Sequence, residues 1–437
     1  MKTSPQTHRH LSSLSLSIWG LVICYVIYQF ILRVSLGVMA PDLMERFMIN
    51  ATEFSLLGSI FYFGYASMQI PVGIFLDHFG PLKTIPLFLF LCVTGFCLFT
   101  FSDNWTVVLL GRFLTGIGSA GAYISSLKVS NMLFPDRLSK LFVGITSSLG
   151  LIGAVCGGLI GFLLSVMSLQ TLLQGLSAAG IALMGIFLLT FSFKKTRALL
   201  QIKEDSSVQS DENLIMGITK IFLKKPILIA LMGSIGLMTM ALYTFADSWG
   251  PSFLIQIHHV SMEQASTSIF LIYIGMVTGC SLLSFIGNHF NITNIIIILC
   301  GLVTASILAS LLIFSNIPYG VILILMFILG LCASLQILFF GVILSLVPKK
   351  FGGVTSGLTN MIIMLLGSGS ISLMGLLMDY AQETKILHNG VPVYSKYSYS
   401  FAFGTITGLV LLGAFIFSAL TMINHFKARK TQEPALL

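Results

Sequence analysis

Long apolar stretches separated by short polar segments dominate the sequence. A helix needs roughly 20 apolar residues to cross a hydrocarbon core of about 30 Å. We place the predicted spans at residues 15–40, 54–76, 84–102, 105–133, 139–165, 170–193, 226–256, 262–287, 292–314, 318–346, 352–378 and 398–424. Six spans precede one long polar segment and six follow it. The pattern therefore predicts an all-α membrane protein of twelve transmembrane helices, built as two pseudo-symmetric six-helix bundles.

The composition agrees with this prediction. The 437-residue chain is 56% hydrophobic and 9% charged, whereas soluble proteins carry about 25% charged residues. All seven cysteines fall inside predicted spans, so the sequence suggests neither a disulfide framework nor a metal site. The first span lacks a small-residue cleavage site, and we expect it to be retained rather than removed as a signal peptide.

The formal net charge of +8 follows membrane topology and does not require a nucleic-acid partner. Loops on the cytoplasmic side of a membrane are enriched in Lys and Arg. If the N-terminus is inside, 17 of the 23 Lys and Arg residues lie in inside segments, 3 in outside loops and 3 within spans. We therefore expect both termini to be cytoplasmic.

The long polar segment divides the chain into domains. Residues 194–225 predict a cytoplasmic linker, solvated or partly a short surface helix, between an N-terminal bundle at 1–193 and a C-terminal bundle at 226–437 that ends in a short tail. Residues 142–149, at the start of span 5, share five of eight residues with 351–358, at the start of span 11. Duplicated halves are typical of transporters, whose substrate site lies between the repeats near the bilayer midplane.

Two motifs resemble those of the major facilitator superfamily. Residues 73–83 (GIFLDHFGPLK) at the inner end of span 2 are similar to its hallmark loop G-x-x-x-D-R/K-x-G-R/K-R/K-R/K, although His78, Pro81 and Leu82 depart from the basic pattern. Arg112 with the glycines at 116, 118 and 121 resembles the second pattern, R-x-x-x-G-x-G-x-G. The resemblance implies alternating access, with gating roles for Gly73, Asp77, Gly80, Lys83 and Arg112.

A third comparison concerns span 5, where the drug-antiporter pattern of the family is G-x-x-x-G-P-x-x-G-G. The register gives Leu149, Gly153, Ala154, Gly157 and Gly158, so the proline is missing. This departure weakens the prediction of a proton-driven drug exporter.

Charged residues inside membrane spans are costly and usually face a cavity or a partner. Arg33 lies in span 1, and Gln29 shares its helical face one turn earlier. Residues 28–38 (YQFILRVSLGV) are similar to the Y-x-D-R-x-N-L-S-x-A segment of the anion:cation symporter branch of the family, whose members carry organic anions. The planar fork of Arg suits a carboxylate, so we predict that Arg33 binds substrate; the alternative is a partner among backbone carbonyls or a neighbouring helix. Lys128 in span 4 is either a second anion anchor or a side chain that snorkels to the interface.

Asp247 is the single acidic residue in the interior of a predicted span; every other carboxylate lies in a loop, at a helix end or in a tail. It is a candidate for proton coupling, for an ion pair with Arg33 across the halves, or for solvation at a helix end. Other polar side chains could complete a cavity, although each alone is more often involved in packing. The predicted substrate-binding set is Arg33, Gln29, Lys128, Tyr65, Asp247, Tyr243, Gln336 and Asn360, with Tyr62, Gln69 and Tyr273 as further polar residues.

Together these features predict a secondary active or facilitative transporter of a small anionic or zwitterionic solute such as an organic acid, an amino acid or a short peptide. The alternative is an exporter of a siderophore or a drug-like compound. The sequence has no G-x-x-x-x-G-K-[ST] loop and no catalytic constellation, so we expect neither an enzyme nor a cofactor or metal. Protons or a counter-anion are the expected co-substrates, and we expect a monomer in a bacterial inner membrane.

Overall fold

The computed structural model describes residues 12–158, 160–201, 222, 225–348, 351–382, 387–388 and 391–431. Most of the predicted linker lies outside the described residues. The helices that form the spans are Ser13–Val38 (span 1), Ala51–Ser67 and Gln69–Phe79 (span 2), Pro81–Phe101 (span 3), Trp105–Leu133 (span 4), Asp136–Gly158 and Ile160–Leu164 (span 5), Leu169–Ser192 (span 6), Ile227–His258 (span 7), Met262–Phe290 (span 8), Thr293–Ile313 (span 9), Tyr319–Ala333 and Leu335–Ser345 (span 10), Gly352–Tyr380 (span 11) and Lys396–Thr431 (span 12).

Among the described residues, two short helices and two short strands lie between the spans. Helix Ala40–Phe47 follows span 1, and helix Lys194–Leu200 follows span 6. Two-residue strands at Leu387–His388 and Val391–Pro392 pair antiparallel between spans 11 and 12. In the described part of the chain, eleven helices are long and apolar enough to cross a membrane, and the bent pair of span 2 raises the number to twelve. The predicted all-α, twelve-span architecture is confirmed, while the orientation of the termini stays a prediction.

Span 2 bends by 43° at Met68, between its two helices. Pro71 lies three residues further on. Because proline has no N–H and its ring clashes with the carbonyl four residues earlier, the helix cannot run straight past Ser67. The hydrophobic pattern continues without interruption through Met68 and therefore does not predict the bend.

Span 7 contains a π-helical segment at Leu242–Trp249, and Pro251 follows in the next turn. Such wide turns are rare and occur often at functional sites. The segment is completely buried. It turns the side chains of Tyr243 and Asp247 into the interior between the halves.

The two bundles meet along three pairs of spans: span 1 with span 7, span 2 with span 11, and span 5 with span 8. Small residues bring these helices close together. A Cβ on Gly37 would lie 2.6 Å from the carbonyl oxygen of Ser248. Below, "linker end" denotes the end of the bundle that carries helix Lys194–Leu200 and Asp77, and "far end" denotes the opposite end, where span 2 begins and span 11 ends.

Candidate functional site

An ion pair joins the two halves in the middle of the bundle. Arg33 Nη2 of span 1 lies 3.4 Å from Asp247 Oδ2 of span 7, and the two side chains are 9% and 0% exposed. A buried charge requires a partner because its loss of hydration is large. Of the roles predicted for Asp247, the structure therefore shows the ion pair with Arg33.

Two tyrosines complete the surroundings of Asp247. The Tyr62 hydroxyl of span 2 donates to Oδ2, and the Tyr273 hydroxyl of span 8 donates to Oδ1. Both halves of the protein thus supply donors to one carboxylate. Hydrogen bonds to a charged acceptor are roughly twice as strong as neutral ones, so this carboxylate holds four spans together.

Aromatic rings surround the Arg33 guanidinium. Its central carbon lies 4.9 Å from the ring centre of Phe30, 5.7 Å from that of Tyr62 and 6.0 Å from that of Tyr243. The electron-rich faces of such rings attract a cation. The Tyr243 hydroxyl in turn donates to Gln336 Oε1 of span 10 over 3.3 Å. The predicted residues Tyr243 and Gln336 therefore belong to one cluster with Arg33 and Asp247, which we call the central cluster.

Two buried polar atoms of span 1 have no hydrogen-bond partner among the described residues. They are Gln29 Oε1 and Arg33 Nε. Gln29 is 1% exposed and lies one helical turn from Arg33. Nearly all buried polar atoms in proteins are paired, so Gln29 Oε1 can still accept, and Arg33 Nε can still donate, a hydrogen bond to water or to a ligand.

A second polar contact between the halves lies on the linker side of the central cluster. Asn360 Nδ2 of span 11 donates to Gln69 Oε1 of span 2 over 2.8 Å, and Gln69 Nε2 donates to the Tyr65 carbonyl over 3.4 Å. Tyr65 is buried and lies one helical turn from Tyr62, which donates to Asp247. Tyr65 and Asn360 thus border the central cluster.

The structure does not bring Lys128 to Arg33. Lys128 Nζ lies 2.7 Å from Asp77 Oδ1, and both side chains are partly exposed at the linker end. In place of a second anion anchor, the structure shows an ion pair between Lys128 of span 4 and Asp77 of the family-like loop. The Lys128 side chain is 35% exposed, and hydration of its ammonium lowers the cost of the charge.

The remaining gating candidates lie around this loop and in span 4. Gly80 has φ 71°, a backbone conformation that favours glycine, and it separates spans 2 and 3. Lys83 is exposed, and the space beside Gly73 is open. Arg112 is fully buried and donates to the carbonyls of Leu57 (3.3 Å) and Leu32 (3.4 Å), which ties span 4 to spans 1 and 2.

Several polar residues at the far end were missed by sequence reasoning. Trp249 Nε1 donates to Ser55 Oγ over 2.9 Å across the halves, and Thr52 donates to Asp379. The available signal was the position of Asp379 at the C-terminal end of a helix, where a negative charge is unfavourable. Within the described ranges, no group of three or more His, Cys, Asp or Glu side chains could hold a metal ion.

A family model described as Major Facilitator Superfamily matches residues 21–372. The probable sulfoacetate transporter SauU of Cupriavidus necator is 29% identical over 133 residues, which cover 30% of this chain and 31% of SauU. The hexuronate transporter of Bacillus subtilis is 25% identical over 243 residues, 54% of this chain and 55% of the relative. The multidrug resistance protein MdtL of Escherichia coli O157:H7 is 27% identical over 195 residues, 43% of this chain and 47% of the relative. The matches thus span about a third to a half of these relatives.

Solved structures share the fold over nearly the whole chain. The inward-facing, unoccupied structure of a bacterial homolog of the human lysosomal transporter Spinster has a TM-score of 0.74 and 15% identity, and the alignment covers 94% of this chain and 98% of that one. At this identity the likeness concerns the fold alone.

Proposed function

We propose that this chain, which belongs to the Major Facilitator Superfamily, moves a small anionic or zwitterionic solute across the membrane by alternating access between its two bundles. The observation that carries the proposal is the buried Arg33, held between the halves by Asp247 and surrounded by aromatic rings. The family is one of transporters, which favours transport over enzymatic activity.

The central cluster favours a solute with a carboxylate or a similar anion. The guanidinium fork can donate two parallel hydrogen bonds to such a group, and Arg33 Nε has no partner among the described residues. Gln29 Oε1 is an acceptor and would take a hydroxyl or ammonium donor of the same solute. Hydroxy acids, amino acids and short peptides carry both kinds of group. Two relatives bear names of organic-anion transporters, those for sulfoacetate and hexuronate.

Asp247 is the proposed coupling residue. When a substrate anion takes the fork of Arg33, Asp247 loses its cationic partner, and a proton can then compensate its charge. This sequence would give proton symport. Exchange with a counter-anion is the other mode that one cation and one carboxylate allow, because a second anion can keep Arg33 neutralised on the return step.

The gating roles remain proposals from the family resemblance. The Asp77–Lys128 ion pair and the buried Arg112 lie where they can hold the linker-end parts of spans 1, 2 and 4 in one arrangement. The excess of Lys and Arg in alternate loops supports cytoplasmic termini. The relatives named above are bacterial, which supports a bacterial inner membrane.

An exporter of a drug-like or siderophore compound is the second candidate, and the match to MdtL favours it. The central cluster argues for a polar solute instead, since its charges would be left unsolvated by an apolar one. The two candidates therefore differ in the chemistry of the ligand.

The test is a thermal-shift and counterflow screen of the purified protein with organic acids, amino acids, dipeptides, neutral sugars and hydrophobic cations. Binding by anionic or zwitterionic compounds alone is the expected result, and Arg33→Gln should abolish it. Arg46→Gln is the matched control, because Arg46 pairs with Asp103 at the far end, within one half. Binding of neutral or cationic compounds only, or equal losses in both variants, would reject the anion site.

Coupling is tested in proteoliposomes with the ligand from that screen. Asp247→Asn should lose accumulation driven by a proton gradient while retaining exchange of internal for external substrate. Unchanged gradient-driven accumulation in Asp247→Asn would remove this residue from the coupling role.

A further inference from the structure

Asp379 lies in the last turn of span 11, at the far end. The C-terminus of a helix carries partial negative charge, so a carboxylate there is locally unfavourable. Its position is explained by the helix it faces. Oδ2 accepts the backbone N–H of Thr52 over 2.9 Å and also the Thr52 hydroxyl, both at the N-terminus of span 2.

Tyr394, in the loop between spans 11 and 12, completes the contact. Its hydroxyl donates to Asp379 Oδ1 and accepts the backbone N–H of Ala51 over 2.7 Å. Burial and the hydrogen bond to Asp379 raise the pKa of Tyr394 above its ordinary value, so the hydroxyl keeps the proton that it donates.

The first N–H groups of span 2 find their hydrogen-bond acceptors half within span 2 itself and half in the C-terminal bundle. The first four N–H groups of any helix lack partners within the helix. Asn50 and Glu53 form a capping box, in which each side chain accepts the N–H of the other residue. The two N–H groups between them, on Ala51 and Thr52, bind Tyr394 and Asp379 of the C-terminal half.

We propose that Asp379, Tyr394 and Thr52 form a clasp that holds the far end closed and must release whenever that end opens. The proposal rests on the alternating access proposed above. Two further polar contacts across the halves lie beneath the clasp, from Trp249 to Ser55 (2.9 Å) and from the Ser368 hydroxyl to the Ser59 carbonyl (2.8 Å).

The chemistry of the clasp suits a contact that forms and breaks repeatedly. Asp379 and Thr52 are only partly buried, whereas Ala51 and Tyr394 are buried; once the far end opens, water can replace each released hydrogen bond. Polar groups that exchange a protein partner for water lose little free energy. An apolar contact of similar size would have no such replacement partner.

The experiment measures how often the far end opens. Ser59 is buried two helical turns below the clasp. We would introduce Ser59→Cys in a chain whose seven native cysteines are replaced, and measure its alkylation by a membrane-impermeant maleimide in right-side-out and inside-out vesicles. In the Asp379→Ala variant the rate from the far-end side should rise about tenfold, the factor that corresponds to 1.4 kcal/mol.

Asp103→Ala is the matched control, because Asp103 is also a far-end carboxylate but pairs with Arg46 inside the N-terminal half. Its alkylation rate should not change. An equal rise in the control would mean general loosening and would overturn the clasp, as would an unchanged rate in Asp379→Ala.

Should Asp379→Ala fail to fold, Thr52→Val and Tyr394→Phe each remove one hydroxyl, and a rise of a few fold in each is expected. Unchanged rates in both would also overturn the proposal. Alkylation needs no substrate, so its outcome is separate from that of the ligand screen. If the protein binds anions but the clasp variants leave the alkylation rate unchanged, only the clasp is refuted. If the clasp variants raise the alkylation rate but no anion binds, only the substrate assignment is refuted.

Discussion

Neutralising one member of the Arg33–Asp247 pair should destabilise the protein more than neutralising both. At 3.4 Å and an effective dielectric constant of about 20, the attraction between the two charges is about 5 kcal/mol. Removing one partner of a buried pair usually costs about 3–5 kcal/mol, because the other charge stays buried and uncompensated. Replacing both removes that unpaired charge. For Arg33→Met and Asp247→Asn we therefore expect a coupling energy of about 2–4 kcal/mol.

The measurement is a double-mutant cycle on the free energy of unfolding in mixed micelles. The chain offers a matched control, since Arg46 Nη2 and Asp103 Oδ1 are also 3.4 Å apart but their side chains are 18% and 93% exposed. A solvated pair of this kind should show a coupling energy below about 1 kcal/mol. If the buried pair couples no more strongly than the exposed one, burial is not what makes it important and the reasoning fails.

Two further predictions concern the linker end and the helix contacts. Lys128→Met and Asp77→Asn should each slow transport without weakening ligand binding. Because the two side chains act as one ion pair, the double variant should be no slower than either single variant. Loss of ligand binding in Lys128→Met would return this residue to the substrate site. Gly95→Ala should lower the melting temperature, because its Cβ would lie 2.5 Å from the Thr115 backbone nitrogen. The matched control Gly175→Ala has no atom within 4 Å of its Cβ and should raise stability by about 0.5–1 kcal/mol; equal behaviour of the two alanine variants in a melting experiment would contradict the close helix contact.

The spans could be predicted because a membrane leaves the chain little choice. Backbone groups in hydrocarbon must be paired within the segment, so an apolar stretch of sufficient length becomes a helix. Span 4 occupies the predicted residues 105–133. Span 2 begins at Ala51 instead of residue 54, since the capping box of Asn50 and Glu53 adds polar residues to the helix that hydropathy assigns to a loop.

The partners of the buried charges were only partly predictable. Arg33 and Asp247 could be named as possible partners of each other, because a charge inside the membrane needs a partner. Lys128 could not be placed, because its distance from Asp77 depends on how spans 2 and 4 pack, and helical period alone says nothing about a neighbouring helix. Asp379 was missed for the same reason: what stabilises it belongs to the other half of the chain.

Span 2 contacts the C-terminal half through polar groups at three levels: Thr52 at the far end, Tyr62 in the middle and Gln69 towards the linker end. When the halves separate at the Thr52 level or at the Gln69 level, water can enter from the adjoining end of the bundle. Each protein hydrogen bond lost there is then replaced by one to water and costs only about 1 kcal/mol net. The middle level differs, because its carboxylate is paired with a buried cation. Parting that level without a replacement anion would leave Arg33 unpaired, at the several kcal/mol estimated above. Under the proposed function, a solute anion bound to Arg33, together with a proton on Asp247, would remove this cost, which gives a physical reason why the halves would rearrange around a loaded site more readily than around an empty one.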